Sequence, residues 1–117
     1  SDIISFHCKA PKDGKPMIAK EHYKKMKPTT YIINAARGNI VDEKDLHEAL
    51  NENLIAGAAV DVFSKEPAKE NVLFNNPKAV LTPHIAASTT EASIVVAEMV
   101  ANQISDFLLN GVKKNTV

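Results

Sequence analysis

Apolar residues in this chain fall into short β-branched runs, separated by stretches in which they recur every three or four positions. That alternation predicts strands and helices in turn. Ile3-Ile4-Ser5-Phe6-His7 is the first run and gives way to a polar stretch containing proline and glycine, residues 9–16. It reads as a buried strand followed by a loop. From Lys20 to Met26 charged and apolar residues mix at helical spacing up to Lys27-Pro28, where proline stops a short helix. Tyr31-Ile32-Ile33-Asn34-Ala35-Ala36 predicts a second strand, broken by Arg37-Gly38. Asp42 followed by Asp45 resembles an N-cap with an acidic third position. Leu46, Ala49 and Leu50 then recur at helical spacing, which predicts a helix from Glu43 to Asn53. Ala56 to Phe63 and Ala79 to Thr82 predict the third and fourth strands. Ser88 with Glu91 forms a capping-box pattern ahead of Ile94, Ala97, Ala101, Ile104 and Leu108. The helix this predicts stops at Asn110-Gly111.

Buried strands alternating with helices, and no strand of polar alternation, point to an α/β class with a parallel sheet covered on both faces. The chain has 117 residues, 44% of them hydrophobic and 24% charged, enough for one core and too few for two ordinary domains. Lysine plus arginine and aspartate plus glutamate balance at 14 each without a single-sign block, which argues against a nucleic-acid partner or an anionic lipid surface. No uninterrupted apolar run approaches the roughly 20 residues of a bilayer span, and the N-terminus lacks a signal-peptide layout. The expectation is therefore a cytoplasmic chain without a membrane partner. The single cysteine, Cys8, makes no internal disulfide and is a poor start for a metal site. By itself it reads as a small buried apolar residue.

In open parallel sheets ligands bind beyond the carboxyl ends of the strands. His7, Arg37, Asp61 with Glu66, and His84 follow the four predicted strands in that order. The planar fork of Arg37 suits a small carboxylate, and His84 oriented by Glu66 would form an acid/base couple. Spacing alone leaves plainer roles open: a surface charge beside a turn glycine, a solvated loop acid, a histidine bonded to backbone. Gly38 would supply a turn conformation, Pro67 and Pro83 would stiffen loops, and His22 and His47 would sit on solvated helix faces.

Three motifs carry a resemblance: Asn34-Ala35-Ala36-Arg37-Gly38-Asn39-Ile40-Val41-Asp42, Asp61-Val62-Phe63-Ser64-Lys65-Glu66-Pro67, and Thr82-Pro83-His84-Ile85-Ala86-Ala87-Ser88-Thr89. Together they resemble the D-2-hydroxyacid dehydrogenases, in particular the phosphoglycerate dehydrogenase branch. The resemblance implies half of a Rossmann-like dinucleotide-binding domain ending in a long helix, with NAD as cofactor. It implies that Arg37 binds the substrate carboxylate and keto oxygen, that His84 is the acid/base, and that Glu66 orients it. It further implies that Asp61 bonds the nicotinamide carboxamide. Cys8, Ala35, Ala36, His84, Ile85, Ala86 and Ala87 would line the cofactor. Lys9 stands where the family usually has proline, and Ala86 where many relatives have glycine.

No G-x-G-x-x-G occurs, so the pyrophosphate cradle is absent from this sequence. The resemblance implies a division into 1–88, the second half of an NAD-binding domain, and 89–117, a crossover helix and tail returning to a substrate domain. The leading functional expectation is a segment of an oxidoreductase that moves hydride between NAD(H) and a D-2-hydroxy or 2-keto acid, with D-3-phosphoglycerate and serine biosynthesis implied by the branch. The isolated chain is expected to be inactive. The alternative is a folded half-domain that self-associates, as a homodimer, without turnover. A third reading is a regulatory fragment that holds a small acid through Arg37.

Overall fold

The computed structural model describes residues 1–115. The chain forms two compact units, Ser1–His84 and Ile85–Val117, each taken by itself below. In the first unit the order is β1 (Ile3–Phe6), α1 (Lys20–Tyr23), β2 (Tyr31–Asn34), a 3-10 turn (Gly38–Ile40), α2 (Glu43–Asn51), β3 (Gly57–Val60) and β4 (Ala79–Leu81). The strands lie side by side in chain order and pair in parallel throughout. Register places Phe6, Asn34, Val60 and Leu81 in one row at the carboxyl edge, so every strand runs out at the same side of the sheet.

Side chains alternate across a strand, and here the alternation divides the sheet into two unlike faces. Ile32, Ala58 and Val60 are buried with Tyr23, Leu46, Leu50, Ile55 and Leu73, and this cluster is the core. On the opposite face Tyr31 and Ile3 are exposed, and Val80 keeps 68% of its surface. The expectation of a sheet covered on both faces is corrected: α2 supplies one cover, and the other face is apolar and open.

Helix α2 forms where capping and periodicity agree. The Asp42 carboxylate accepts from the Lys44 and Asp45 N–H groups at 3.0 and 2.9 Å, satisfying two donors left over at the helix start. Leu46, Ala49 and Leu50 form its buried stripe. Its far end is held by Lys78, whose Nζ donates to the Leu50 carbonyl at 2.8 Å and to Asn53 Oδ1. Helix α1 stops at Tyr23, short of the expected Met26, because the chain turns through residues 24–26 before Pro28.

The second unit is dominated by α3 (Thr90–Asn110). Its N-cap is Thr89, whose Oγ1 accepts from the Ala92 N–H at 3.1 Å, and not the expected Ser88. It ends in a left-handed Gly111 (φ 66°), whose N–H donates to the Phe107 carbonyl at 3.0 Å, the bonding of an αL stop. Ile94, Val95 and Val96 are consecutive and all exposed, and successive helical positions point about 100° apart. The apolar surface is thus broader than the expected stripe. By length and composition α3 could also cross a membrane, with a mean hydropathy of 1.3 over its most apolar window. No uninterrupted apolar run marks this helix, because Glu91, Glu98 and Asp106 are dispersed among its apolar residues. The same test is passed by apolar helices that pack on other protein. The expected pairing of the tail from Val112 to Val117 reaches residues 116 and 117, which lie outside the described residues.

Candidate active site

Strand β2 ends in Asn34, a buried side chain with both ends occupied. Its Nδ2 donates to the Arg37 carbonyl at 3.0 Å and its Oδ1 accepts from the Ala36 N–H at 3.2 Å, while its own carbonyl accepts from the Asp61 N–H at 2.9 Å. The side chain thereby supplies partners for the Ala36 N–H and the Arg37 carbonyl and fixes the turn that presents Arg37. Arg37 is exposed, and its Nη1 donates to the Ala36 carbonyl at 2.6 Å. Among the described residues no carboxylate lies within ion-pair distance of it. Most of a five-donor fork therefore remains for an incoming carboxylate.

Immediately after Arg37 the backbone runs against the segment that follows β3. A Cβ built on Gly38 would sit 2.0 Å from the Phe63 carbonyl carbon and oxygen and 2.4 Å from the Ser64 nitrogen. The glycine is needed for this close approach. Its φ lies outside the left-handed range, which corrects the expectation of a special turn conformation.

Glu66 folds back so that its Oε1 accepts from the Phe63 N–H at 2.9 Å, and its Oε2 meets His84 Nδ1 at 2.6 Å. The bond to His84 first, and the bond from the Phe63 backbone second, hold the Glu66 carboxyl below its usual range. An ionised carboxylate only accepts, so His84 Nδ1 carries the hydrogen and Nε2 is left to exchange a proton. His84 itself is in the left-handed region (φ 56°), uncommon for a residue with a side chain and a feature that concentrates at functional sites. The pair is accessible, with side-chain exposures of 50% for His84 and 34% for Glu66.

The candidate residues fall into two groups. Glu66 and His84 border a largely apolar open cavity of about 530 Å³, lined also by Phe63, Pro67, Phe74 and Leu81. Arg37 borders a cleft of about 310 Å³ with His7, Cys8, Lys9, Ala35 and Ala36. Neither of these two cavities is lined by both Arg37 and His84; their link is the Gly38–Phe63 backbone contact. Asp61 is buried at the end of β3 and accepts from Thr82 Oγ1 at 2.5 Å. Ile85, Ala86 and Ala87 belong to the second unit. The 310 Å³ cleft lies at the small end of ligand sites, roughly 300–1,000 Å³. Its lining includes the small residues Ala35 and Ala36.

Other expectations are corrected. Cys8 is exposed, not buried, and its thiol lies 3.7 Å from Met17 Sδ. His22 and His47 are half-buried: the first accepts from the Ala19 N–H at 3.0 Å, and the second is bonded to Asn51 at 2.9 Å. Sequence reasoning gave no part to Asn34 or Thr82. An asparagine closing a β-branched run three residues before Arg37 is the one signal that could have marked Asn34.

Known proteins resemble this chain in sequence and in fold. The model for the NAD binding domain of D-isomer specific 2-hydroxyacid dehydrogenases matches residues 1–86. D-3-phosphoglycerate dehydrogenase of Bacillus subtilis is 43% identical over 107 residues, which are 92% of this chain and 20% of that protein. Glyoxylate reductase of Pyrococcus furiosus is 44% identical over 107 residues, again 92% of this chain and 32% of that protein. The chain thus spans between a fifth and a third of these relatives. Among solved structures, the NAD-complexed D-isomer specific 2-hydroxyacid dehydrogenase of Lactobacillus delbrueckii ssp. bulgaricus superimposes with a TM-score of 0.80 at 28% identity, covering 98% of this chain and 39% of that one. A glyoxylate reductase from Paecilomyes thermophila gives a TM-score of 0.83 at 34% identity, covering 95% and 34%.

Proposed function

This chain belongs to the D-isomer specific 2-hydroxyacid dehydrogenase family, and on that premise we propose that it carries the acid/base couple and carboxylate anchor of an enzyme that interconverts a D-2-hydroxy acid and its 2-keto acid. The observation that carries this reading is the 2.6 Å contact between Glu66 and His84 Nδ1 at the strand ends, which leaves Nε2 as the ring atom for proton exchange. Its cofactor is NAD, in keeping with the matched domain, and when bound NAD supplies or accepts the hydride at the substrate carbon. In the reducing direction Nε2 of protonated His84 gives its proton to the carbonyl oxygen, which becomes the hydroxyl. In the oxidising direction Nε2 takes that proton back. Glu66 holds the ring in one tautomer and one orientation. Arg37 holds the substrate carboxylate through its fork, and the 310 Å³ cleft beside it takes the nicotinamide end, with Asp61 as a buried acceptor for the carboxamide. D-3-phosphoglycerate is the substrate we favour, on the likeness to D-3-phosphoglycerate dehydrogenases. Likeness to glyoxylate reductases makes glyoxylate the competitor to test.

A second reading has its own support: a folded half-domain that self-associates without turnover. The exposed apolar surface of α3 favours it, because a helix that is apolar on several sides needs cover. In the larger protein we assign that cover to a second domain to which α3 crosses. One experiment separates the readings: NADH oxidation by the purified chain with glyoxylate, hydroxypyruvate, pyruvate and phosphohydroxypyruvate, against His84→Ala. Turnover abolished by the substitution supports the enzymatic reading for this chain. No turnover, together with a dimeric mass in sedimentation, selects the second.

A further inference from the structure

Nothing in the acid/base chemistry calls on Glu43, the first residue of α2, yet its carboxylate accepts three hydrogen bonds near the site. Oε1 accepts from the Ser64 N–H at 2.7 Å, and Oε2 accepts from Ser64 Oγ and from Asn71 Nδ2, both at 2.9 Å. These donors bracket the segment that contains Glu66. Ser64 follows Phe63, whose N–H holds Glu66 Oε1, and Asn71 stands where the segment re-enters the core through Leu73, its own Oδ1 accepting from the Leu73 N–H at 2.9 Å. One side chain on a capped helix start therefore closes both ends of the loop. An ionised carboxylate is suited to this, because it offers about four acceptor positions and no donor, and the start of a helix favours negative charge.

We propose that Glu43 is a positioning residue of the acid/base couple: by tying Ser64 and Asn71 to α2 it holds Glu66 against His84. The inference rests on the reading of Glu66 and His84 as that couple, and it adds a residue that touches neither substrate nor cofactor. Glu43→Ala removes all three bonds. Glu43→Gln keeps the shape but turns an acceptor into an NH₂ that faces the Asn71 donor. Both variants leave Glu66 and His84 in place chemically and loosen the loop that aligns them.

The test is made on the full 117-residue chain, without cofactor, by ¹⁵N NMR of the His84 ring and hydrogen exchange of the Phe63 amide. The expected result is that both Glu43 variants shift His84 from the Nδ1–H tautomer toward a mixture. The Phe63 amide is expected to exchange roughly two- to tenfold faster, as the loss of one net hydrogen bond implies. Glu48→Gln, which removes an exposed pair with Lys20 elsewhere on α2, serves as the control for general loosening. A general loss of stability would raise exchange in the control as well and leave the tautomer alone. Should Glu43→Ala fail to fold, the isosteric Gln variant decides. Unchanged tautomer and exchange in a folded Glu43 variant overturn the proposal. Glu66→Gln is measured alongside: if it too leaves the tautomer unchanged, the acid/base couple itself is refuted, whereas a change in Glu66→Gln alone refutes only the part given to Glu43.

Discussion

Gly38→Ala is the sharpest perturbation available, because it adds one methyl at a place where two backbones already touch. The new Cβ would lie 2.0 Å from the Phe63 carbonyl, while ordinary contact begins near 3.4 Å, so the two segments must part by about 1.4 Å. The obstructing atoms are backbone, which cannot swing aside as a flexible side chain would. One of those segments presents Arg37 and the other anchors Glu66 through the Phe63 N–H. Overpacking of this kind typically costs about 1–3 kcal/mol. At roughly 4–8 °C per kcal/mol for a domain near this size, the melting temperature is expected to fall on the order of 10 °C. The displacement also exceeds the ~1 Å that suffices to lose about a hundredfold in rate at a catalytic site, so alignment suffers more than stability.

Circular dichroism melts of the wild type and Gly38→Ala, read beside the His84 ring signals, test both halves of this expectation. A melting temperature within about 2 °C of wild type, with unchanged ring signals, would refute the reasoning. It would mean that the loop after β3 moves freely and that the close approach places nothing.

Further expectations concern charge, core and capping. Glu66 titrates below its usual 4.5 because His84 and the Phe63 N–H stabilise the carboxylate. Its stabilising contribution is therefore complete above pH 4.5 and disappears as pH falls through the lower folded value. Melts of wild type and Glu66→Gln should differ at neutral pH and converge in acid, and a gap independent of pH would contradict this. Leu50→Ala empties a site with 0% exposure in the centre of the core and should cost about 2–5 kcal/mol in urea unfolding; a loss below about 1 kcal/mol would mean that α2 does not hold the core. Lys78→Met removes the charged donor that closes the C-terminal end of α2 and should cost about 1–2 kcal/mol. The amides near Asn53 should then exchange faster, and a change confined to other elements would argue against the cap.

Much of the fold was legible because the strands of a buried parallel sheet must be β-branched and apolar on their covered side. Ile3–Phe6, Tyr31–Asn34 and Ala79–Leu81 stand close to where that pattern puts them. Strand ends were overrun for a physical reason: Ala35 and Ala36, or Val62 and Phe63, continue the apolar pattern, but pairing stops where Asn34 supplies the bonds and Asp61 turns into the loop. The open face of the sheet could not be foreseen, since Tyr31 and Val80 look no different in sequence from residues that are covered. At the site, Arg37, Glu66 and His84 stood out by residue type at strand ends and by motif. What keeps Glu66 in place did not, because Gly38 and Glu43 act through atoms of Phe63, Ser64 and Asn71 that are distant in sequence.

That distribution separates two requirements that a dehydrogenase normally meets together. The couple is held by Phe63, Glu66 and His84 within the first compact unit, and no bond that sets it draws on a phosphate cradle. Turnover in this family calls on a bound dinucleotide as well. Proton chemistry and cofactor grip are therefore expected to fail independently. A chain with no turnover should still show His84 as the Nδ1–H tautomer, and only if that tautomer were absent would the missing activity reflect a site that had not formed.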